Sequence, residues 1–383
     1  MSIYENKPKP FDSPIYVTQP LLPKLDNYMS MLESVWNSKQ LSNNGPMVRQ
    51  LEAELRNFLK VQNLSLFSNG TTALQLALQV LKLKGEVITT PFTFAATTHA
   101  LYWNNLKPVF CDINEDTYTI DPEKIEALIT PETTAILPVH VFGNPCDVWR
   151  IQEVAEKHEL KVIYDAAHAF GVEVGDKPIG IFGDISMFSL HATKIYHTIE
   201  GGALAFNDYT LKEQADRLRN FGIAGEDEIV GPGLNGKLNE LQAIMGLLLI
   251  ELVNEEIEKR KTLTFFYREL LNDIPGINSS HDIENVSHNY PYFVIKVYKD
   301  KFGIDRDELQ KELKEYNIYS RKYFYPLCSH IPCYGQHPSA DADNLPVAER
   351  VSGQVLSLPL YGRLRKDDIE RICEIIRYIA KQH

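Results

Sequence analysis

Residues able to do chemistry gather in three short stretches of this chain. ISMFSLHATKIYHTIEGGALAF (185–206) sets Ser189, His191 and Lys194 in a loop between two apolar runs, and Glu200-Gly201-Gly202 turns the chain back. A lysine is ordinarily a solvated surface group. Lys194 instead stands in a stretch of low charge between runs that must be buried, where an amine sheds its proton and serves as nucleophile or base. In KVIYDAAHAFG (161–171), Asp165 closes an apolar strand and His168 follows in the next turn, at the edge where open α/β sheets build their sites. In LSLFSNGTTALQLAL (64–78) a strand passes through Gly70 into a helix, so backbone amides and the hydroxyls of Thr71 and Thr72 lie at a helix start, a good seat for phosphate. Taken singly, the Asp165 carboxylate and the Ser, Asn and Thr around Gly70 are also ordinary capping residues.

The elements that must position these groups alternate. Segments 64–67, 86–90, 108–112, 134–141, 161–165, 185–190 and 202–206 read as the short, mostly apolar strands of a buried parallel or mixed sheet. ALQLALQVLKL, PEKIEALI and WRIQEVAEKHEL read as helices between them, which makes an α/β fold with helices on both faces. Two helices precede this rhythm, one from Leu25 to Trp36 and one opening at Pro46 with Val48, Leu51, Leu55 and Phe58 at helical spacing. Past Asn239 comes ELQAIMGLLLIELV, almost wholly apolar, and a charged step at 254–261 reads as a helix leaving the core. A boundary near 255 therefore divides a large domain, 1–255, from a small α/β domain, 256–383. The small domain holds expected strands at 290–298 and 320–326 and helices RDELQKELKEY and DDIERICEIIRYIA. Clefts for small molecules form where such domains meet.

Composition narrows the function classes. The 383 residues are 44% hydrophobic and 23% charged, ordinary globular usage, and the net charge of −12 disfavours a surface for nucleic acid. Five cysteines, odd in number and widely spread, argue for a reducing compartment. The opening residues lack an apolar leader, and no run reaches the ~18 apolar residues of a membrane span, so a cytoplasmic, membrane-free protein is expected. GPGLNGKL (231–238) satisfies two phosphate-loop patterns, yet Leu238 stands where a hydroxyl should hold magnesium and Pro232 stiffens the turn. Cys328-Ser-His-Ile-Pro-Cys333 has no second ligand pair, so no metal is expected. Serine-hydrolase and zinc-protease motifs are absent from the sequence.

An amine at Lys194, an anion at Asp165, a phosphate seat at Gly70 and Thr71 and an aromatic in PFTF (Phe92, Phe94) together answer the demands of one cofactor, pyridoxal 5′-phosphate. Its aldehyde needs an amine, its ring nitrogen an opposing anion, its phosphate a helix end.

At this point the chain resembles the DegT/DnrJ/StrS family of nucleotide-sugar aminotransferases, of the aspartate aminotransferase fold (fold type I). The resemblance rests on QLSNNGPMVRQLE, SNGTTAL, TPFTFAATTHA, ILPVHVFGNPCD, YDAAHAFG, SLHATKIYHTIEGGALAF, LNGKLNELQAIMG, SRKYFYPL and LSLPLY, in order along nearly the whole length. It implies a large domain with a mixed, mostly parallel sheet and a smaller C-terminal α/β domain. It implies that Lys194 is the Schiff-base lysine, Asp165 the partner of the pyridine nitrogen and His168 the partner of the phenolate oxygen. Phe94 would stack on the ring, Gly70, Thr71 and Ser189 would hold the phosphate, and the neighbouring subunit of a homodimer would lend Asn235 to it. Family members often have aromatic-Arg after that asparagine; here Gly236-Lys237 follows. Lys237, Arg321, Tyr323 and Tyr325 are expected substrate contacts, although 321–325 also reads as a plain strand of mixed facing. The implied reaction is ping-pong transamination from L-glutamate to a nucleotide-linked keto-6-deoxyhexose, with a dTDP-4-keto sugar favoured over a 3-keto or a UDP- or GDP-linked one. A family dehydratase would carry His in place of Lys194, and a regulatory relative would keep the fold without turnover.

Overall fold

The computed structural model describes residues 7–383; residues 1–6, part of the polar opening, lie outside the described residues. The large domain is organised around seven strands: β1 (Asn63–Phe67), β2 (Glu86–Thr89), β3 (Lys107–Phe110), β4 (Thr133–Leu137), β5 (Lys161–Asp165), β6 (Ile185–Ser189) and β7 (Gly202–Phe206). Their spatial order is 1-7-6-5-4-2-3, parallel throughout except that β7 runs antiparallel to both β1 and β6. The strands read as continuous apolar runs because both faces are covered. Ile88 and Ile136 point into one layer with Leu51 and Ile151; Val87, Ala135 and Leu137 point into the other with Ala73 and Ala77.

The longer helices are α1 (Leu25–Ser38), α2 (Pro46–Phe58), α3 (Gly70–Val80), α4 (Ala95–Trp103), α5 (Val148–Lys157), α6 (Tyr209–Leu218) and α7 (Glu240–Ile250), while PEKIEALI forms only the short turn Pro122–Ile125 and a 3-10 turn after it. Glu240, buried at the start of α7, accepts the backbone N–H groups of Met47 (2.9 Å) and Val48 (3.0 Å). One carboxylate thus satisfies the unpaired donors at the start of α2 and fastens it to α7. Segment 134–141 is not one strand: β4 stops at Leu137, since Pro138 offers no amide to the ladder, and the chain then enters a tight turn at Val141–Gly143.

α8 (Val253–Leu271) carries the chain into the small domain, where β8 (Ile277–Ser279), β9 (Phe293–Val297) and β10 (Val355–Leu358) form an antiparallel sheet under α9 (Arg306–Glu315), α10 (Pro346–Gln354) and α11 (Lys366–Gln382). The expected strand at 320–326 is a loop instead. Only Arg321 bridges the sheet, at Ser357, and the residues beyond it turn so that Phe324 is buried against the large domain. The boundary near 255 is crossed from its other side: Phe11 packs in the small domain's core and Ile15–Tyr16 pairs in parallel with Ile318–Tyr319.

Candidate active site

The carboxyl ends of β1, β2, β4, β5 and β6 open onto one cavity of about 680 Å³, roofed by Tyr292, Tyr323 and Phe324 of the small domain. Its size is that of a small-molecule site. Asp165 reaches it because it is the last residue of β5, and it is 5% exposed. Asp165 Oδ2 accepts from Thr97 Oγ1 (2.8 Å) and Oδ1 from the Ala167 N–H (3.1 Å). Burial pushes its carboxyl up, while the two hydrogen bonds and the charge of Lys194 pull it back.

His168 follows in the next turn and is neutral: burial, then the nearby Lys194 charge, hold it well below its usual value. Its Nδ1 accepts the Phe142 N–H (3.2 Å), so the remaining proton resides on Nε2. That donation requires the left-handed backbone of Phe142 (φ 57°) and Gly143 (φ 85°); a Cβ on Gly143 would meet Asn289 Oδ1 at 2.5 Å. Asn289 in turn donates to the His168 carbonyl (2.8 Å) and the Phe170 carbonyl (3.0 Å). The His168 ring lies parallel to Phe324 (5.8 Å, 5°) and edge-on to Tyr292 (5.0 Å, 66°), an aromatic box that leaves it one orientation.

Lys194 lies in the loop between β6 and β7 and lines the same cavity. Burial brings its amine down to about 8, with Asp165 opposing the shift. Among the described residues its ammonium has no ion pair. At the phosphate end, Asn69 caps α3 by accepting the Thr72 N–H (2.8 Å), and the Ala73 N–H bonds the Asn69 carbonyl. The N–H groups of Gly70 and Thr71 are thereby left for an anion. A Cβ on Gly70 would lie 3.3 Å from both Met187 Sδ and Ser189 Cβ, so glycine lets the helix start settle against β6 and brings Ser189 beside it. Phe94, 65% exposed, stands on the loop before α4 and lines the cavity.

These features fit pyridoxal phosphate. The neutral His168 offers an N–H, the carboxylate lies in the floor, burial brings the amine down to about 8, and the helix start has donors to spare. The structure gathers Gly70, Thr71, Phe94, Asp165, His168, Ser189, Lys194 and Tyr323 around one cavity. It places four expected contacts elsewhere. Asn235 is exposed, with its backbone bridged to Asn220; Lys237 Nζ donates to Asn220 Oδ1 (2.7 Å) over the Phe221 ring. Arg321 is exposed where its backbone pairs with Ser357, and Tyr325, 51% exposed, lies between Arg306 and Lys322. Sequence reasoning gave no role to Thr97, Phe142, Gly143, Asn289, Tyr292 or Phe324. The segments TFAATTHA and HVFGN contain the first three and SRKYFYPL contains Phe324; Asn289 and Tyr292 carry no such signal.

Fold and site together define an aminotransferase that works through pyridoxal 5′-phosphate. The chain belongs to the DegT/DnrJ/EryC1/StrS aminotransferase family, whose model matches residues 25–377. A dTDP-4-amino-4,6-dideoxy-D-glucose transaminase of Escherichia coli is 47% identical over 366 residues, 95% of this chain and 98% of that protein. A pleiotropic regulatory protein of Geobacillus stearothermophilus is 32% identical over 361 residues, 92% of this chain and 95% of that one. The crystal structure of DesI in the presence of its TDP-sugar product matches with a TM-score of 0.93 at 36% identity, covering 98% of this chain and 95% of that chain.

Proposed function

We propose that the chain moves the amino group of L-glutamate to dTDP-4-keto-6-deoxyglucose, giving dTDP-4-amino-4,6-dideoxyglucose and 2-oxoglutarate. The observation that carries the choice of sugar is the 47% identity to the E. coli transaminase over 95% of the chain. The joint presence of Lys194, Asp165 and His168 in one cavity supports turnover rather than a regulatory role.

When bound, pyridoxal phosphate supplies an aldehyde that takes up amines and a ring that stores the electron pair freed at the substrate carbon. Lys194 would hold that aldehyde. Displaced by the incoming amine, its neutral form would move the proton at the donor carbon, work suited to an amine brought down to about 8. Asp165 would keep a proton on the ring nitrogen, and His168 Nε2–H would donate to the phenolate oxygen. Gly70, Thr71 and Ser189 would hold the phosphate, with Phe94 and Tyr323 walling the cavity.

Phosphate, dicarboxylate donor and nucleotide diphosphate are all anions. Among the described residues lining the cavity, Lys194 is the sole lysine or arginine, set against Asp165 and Glu200. That deficit supports a homodimer in which the exposed Asn235 and the half-buried Lys237 of one subunit complete the site of the other. Five free cysteines support a cytoplasmic setting; no helix among the described residues is long and apolar enough to cross a membrane.

The test is product analysis after incubation with L-glutamate and a panel of keto sugars. Amination of dTDP-4-keto-6-deoxyglucose at C4 is expected. Amination of a dTDP-3-keto, UDP- or GDP-linked sugar alone would overturn the substrate while leaving the chemistry, and no amination of any would overturn both.

A further inference from the structure

The Asp165 carboxylate is held by groups outside its own strand. Thr97 lies in the first turn of α4, with its N–H on the Phe94 carbonyl (3.1 Å), and its Oγ1 stands 2.8 Å from Asp165 Oδ2. Behind it, Thr93 Oγ1 stands 2.9 Å from Thr97 Oγ1. Both threonines are buried, 1% and 3% exposed, and both line the cavity. A hydroxyl has one proton, and a carboxylate only accepts. Facing the ionised Asp165, Thr97 must donate to it, and Thr93 must donate to Thr97. The row Thr93→Thr97→Asp165 then has a single polarity, in which each donation strengthens the next. With Oδ1 also occupied by the Ala167 N–H, the carboxylate is fixed at both oxygens and its plane has one setting.

We propose that Thr97, backed by Thr93, is a positioning residue that orients the Asp165 carboxylate and favours its charged form, so that Asp165 meets the pyridine nitrogen of the cofactor. This rests on the cofactor and function proposed above. It concerns the binding of pyridoxal phosphate as well as turnover, because the nitrogen is already faced when the cofactor sits down.

The experiment titrates apoprotein with pyridoxal 5′-phosphate, followed by protein fluorescence and by visible absorbance, for wild type, Thr97→Val, Thr97→Ser and Thr93→Val, each also in an Asp165→Asn background. Valine keeps the shape and removes the hydroxyl. Thr97→Val is expected to weaken binding by about ten- to a hundredfold, the cost of one hydrogen bond to a buried charge. Thr97→Ser, which keeps the O–H, should stay within about threefold of wild type, and Thr93→Val should lose about three- to tenfold. In the Asp165→Asn background Thr97→Val should add less than about twofold, since the group it acts through is gone. Wild-type affinity in Thr97→Val overturns the proposal, as does an undiminished loss in the Asp165→Asn background. A loss in Thr97→Ser as large as in Thr97→Val also overturns it. If Thr97→Val does not fold, Thr93→Val carries the same cycle, and an unchanged affinity there is fatal. Failure of wild-type apoprotein to take up the cofactor would sink the proposed function itself, a result separable from all of these.

Discussion

On the floor of the cavity, Asp165, His168 and Lys194 stand on strand ends or in the loops just after them, and Asp165 and His168 are fixed by partners in the same chain. Outside the cavity, Asn235, Lys237, Arg321 and Tyr325 are more exposed, engaged with near neighbours or with solvent. The floor is finished within one chain; of the residues outside it, Asn235 and Lys237 are those proposed to serve a second subunit. The difference shows how labour divides in such a site. Bond chemistry needs groups whose protonation is set by burial, and burial is supplied by the sheet. Charge for anionic ligands is best kept near water until the ligand arrives, because a buried lysine without a partner loses its proton.

The harshest way to break this comparison is at the floor. Lys194→Ala is expected to lower product formation by about a thousandfold or more, the scale of losing both nucleophile and proton carrier. Activity within tenfold of wild type would show that another group does that work. Next, Asn235→Ala/Lys237→Ala is expected to lose about a hundredfold, as charged contacts to phosphate vanish. Mixed with Lys194→Ala under conditions of subunit exchange, it should regain about a quarter of wild-type activity, because half the dimers then hold one intact site. No recovery would mean that Asn235 and Lys237 do not reach a partner's site.

A smaller effect separates a buried amine from a solvated one. Lys194 is protonated below its value of about 8 and neutral above it. Cofactor uptake by apoprotein should therefore climb about tenfold per pH unit below that point and level off above it. A plateau reached only beyond pH 10 would show an ordinary surface lysine. Smallest of all, Arg321→Ala and Tyr325→Phe should change kcat/KM by less than about threefold, as expected of exposed residues that do not line the cavity. A larger rise in KM would move the small-domain loop into the substrate site.

The floor was legible because its signals are local. An apolar run ending in Asp165, a helix opening at Gly70 and a lysine between two buried strands each combine a periodicity with a terminus, and chain neighbours suffice to express that. The supporting shell was not legible, because it depends on distant contacts. Thr97 meets Asp165 across 68 positions and Asn289 meets His168 across 121, and no local pattern marks either threonine or asparagine as a holder of its partner. The segment 320–326 failed for a related reason. Its aromatic and β-forming residues suit a strand by propensity, but Phe324 is claimed by the large domain, stacked against Phe142 and His168, and this bends the chain off the sheet after Arg321. β4 is shorter than its apolar run suggests, because Pro138 brings no amide to the ladder.

The junction between Ile15–Tyr16 and Ile318–Tyr319 also sets an order of assembly. Phe11 leaves the ribosome well before the pocket that receives it: Asn317, which donates to the Phe11 carbonyl at 2.6 Å, is synthesised 306 residues later. The Phe11 side chain must stay unclaimed until the C-terminal half is out. A fragment cut near 255 would leave Phe11 bare, and residues 256–383 made alone would carry the matching open groove, so each piece is expected to aggregate where the intact chain does not.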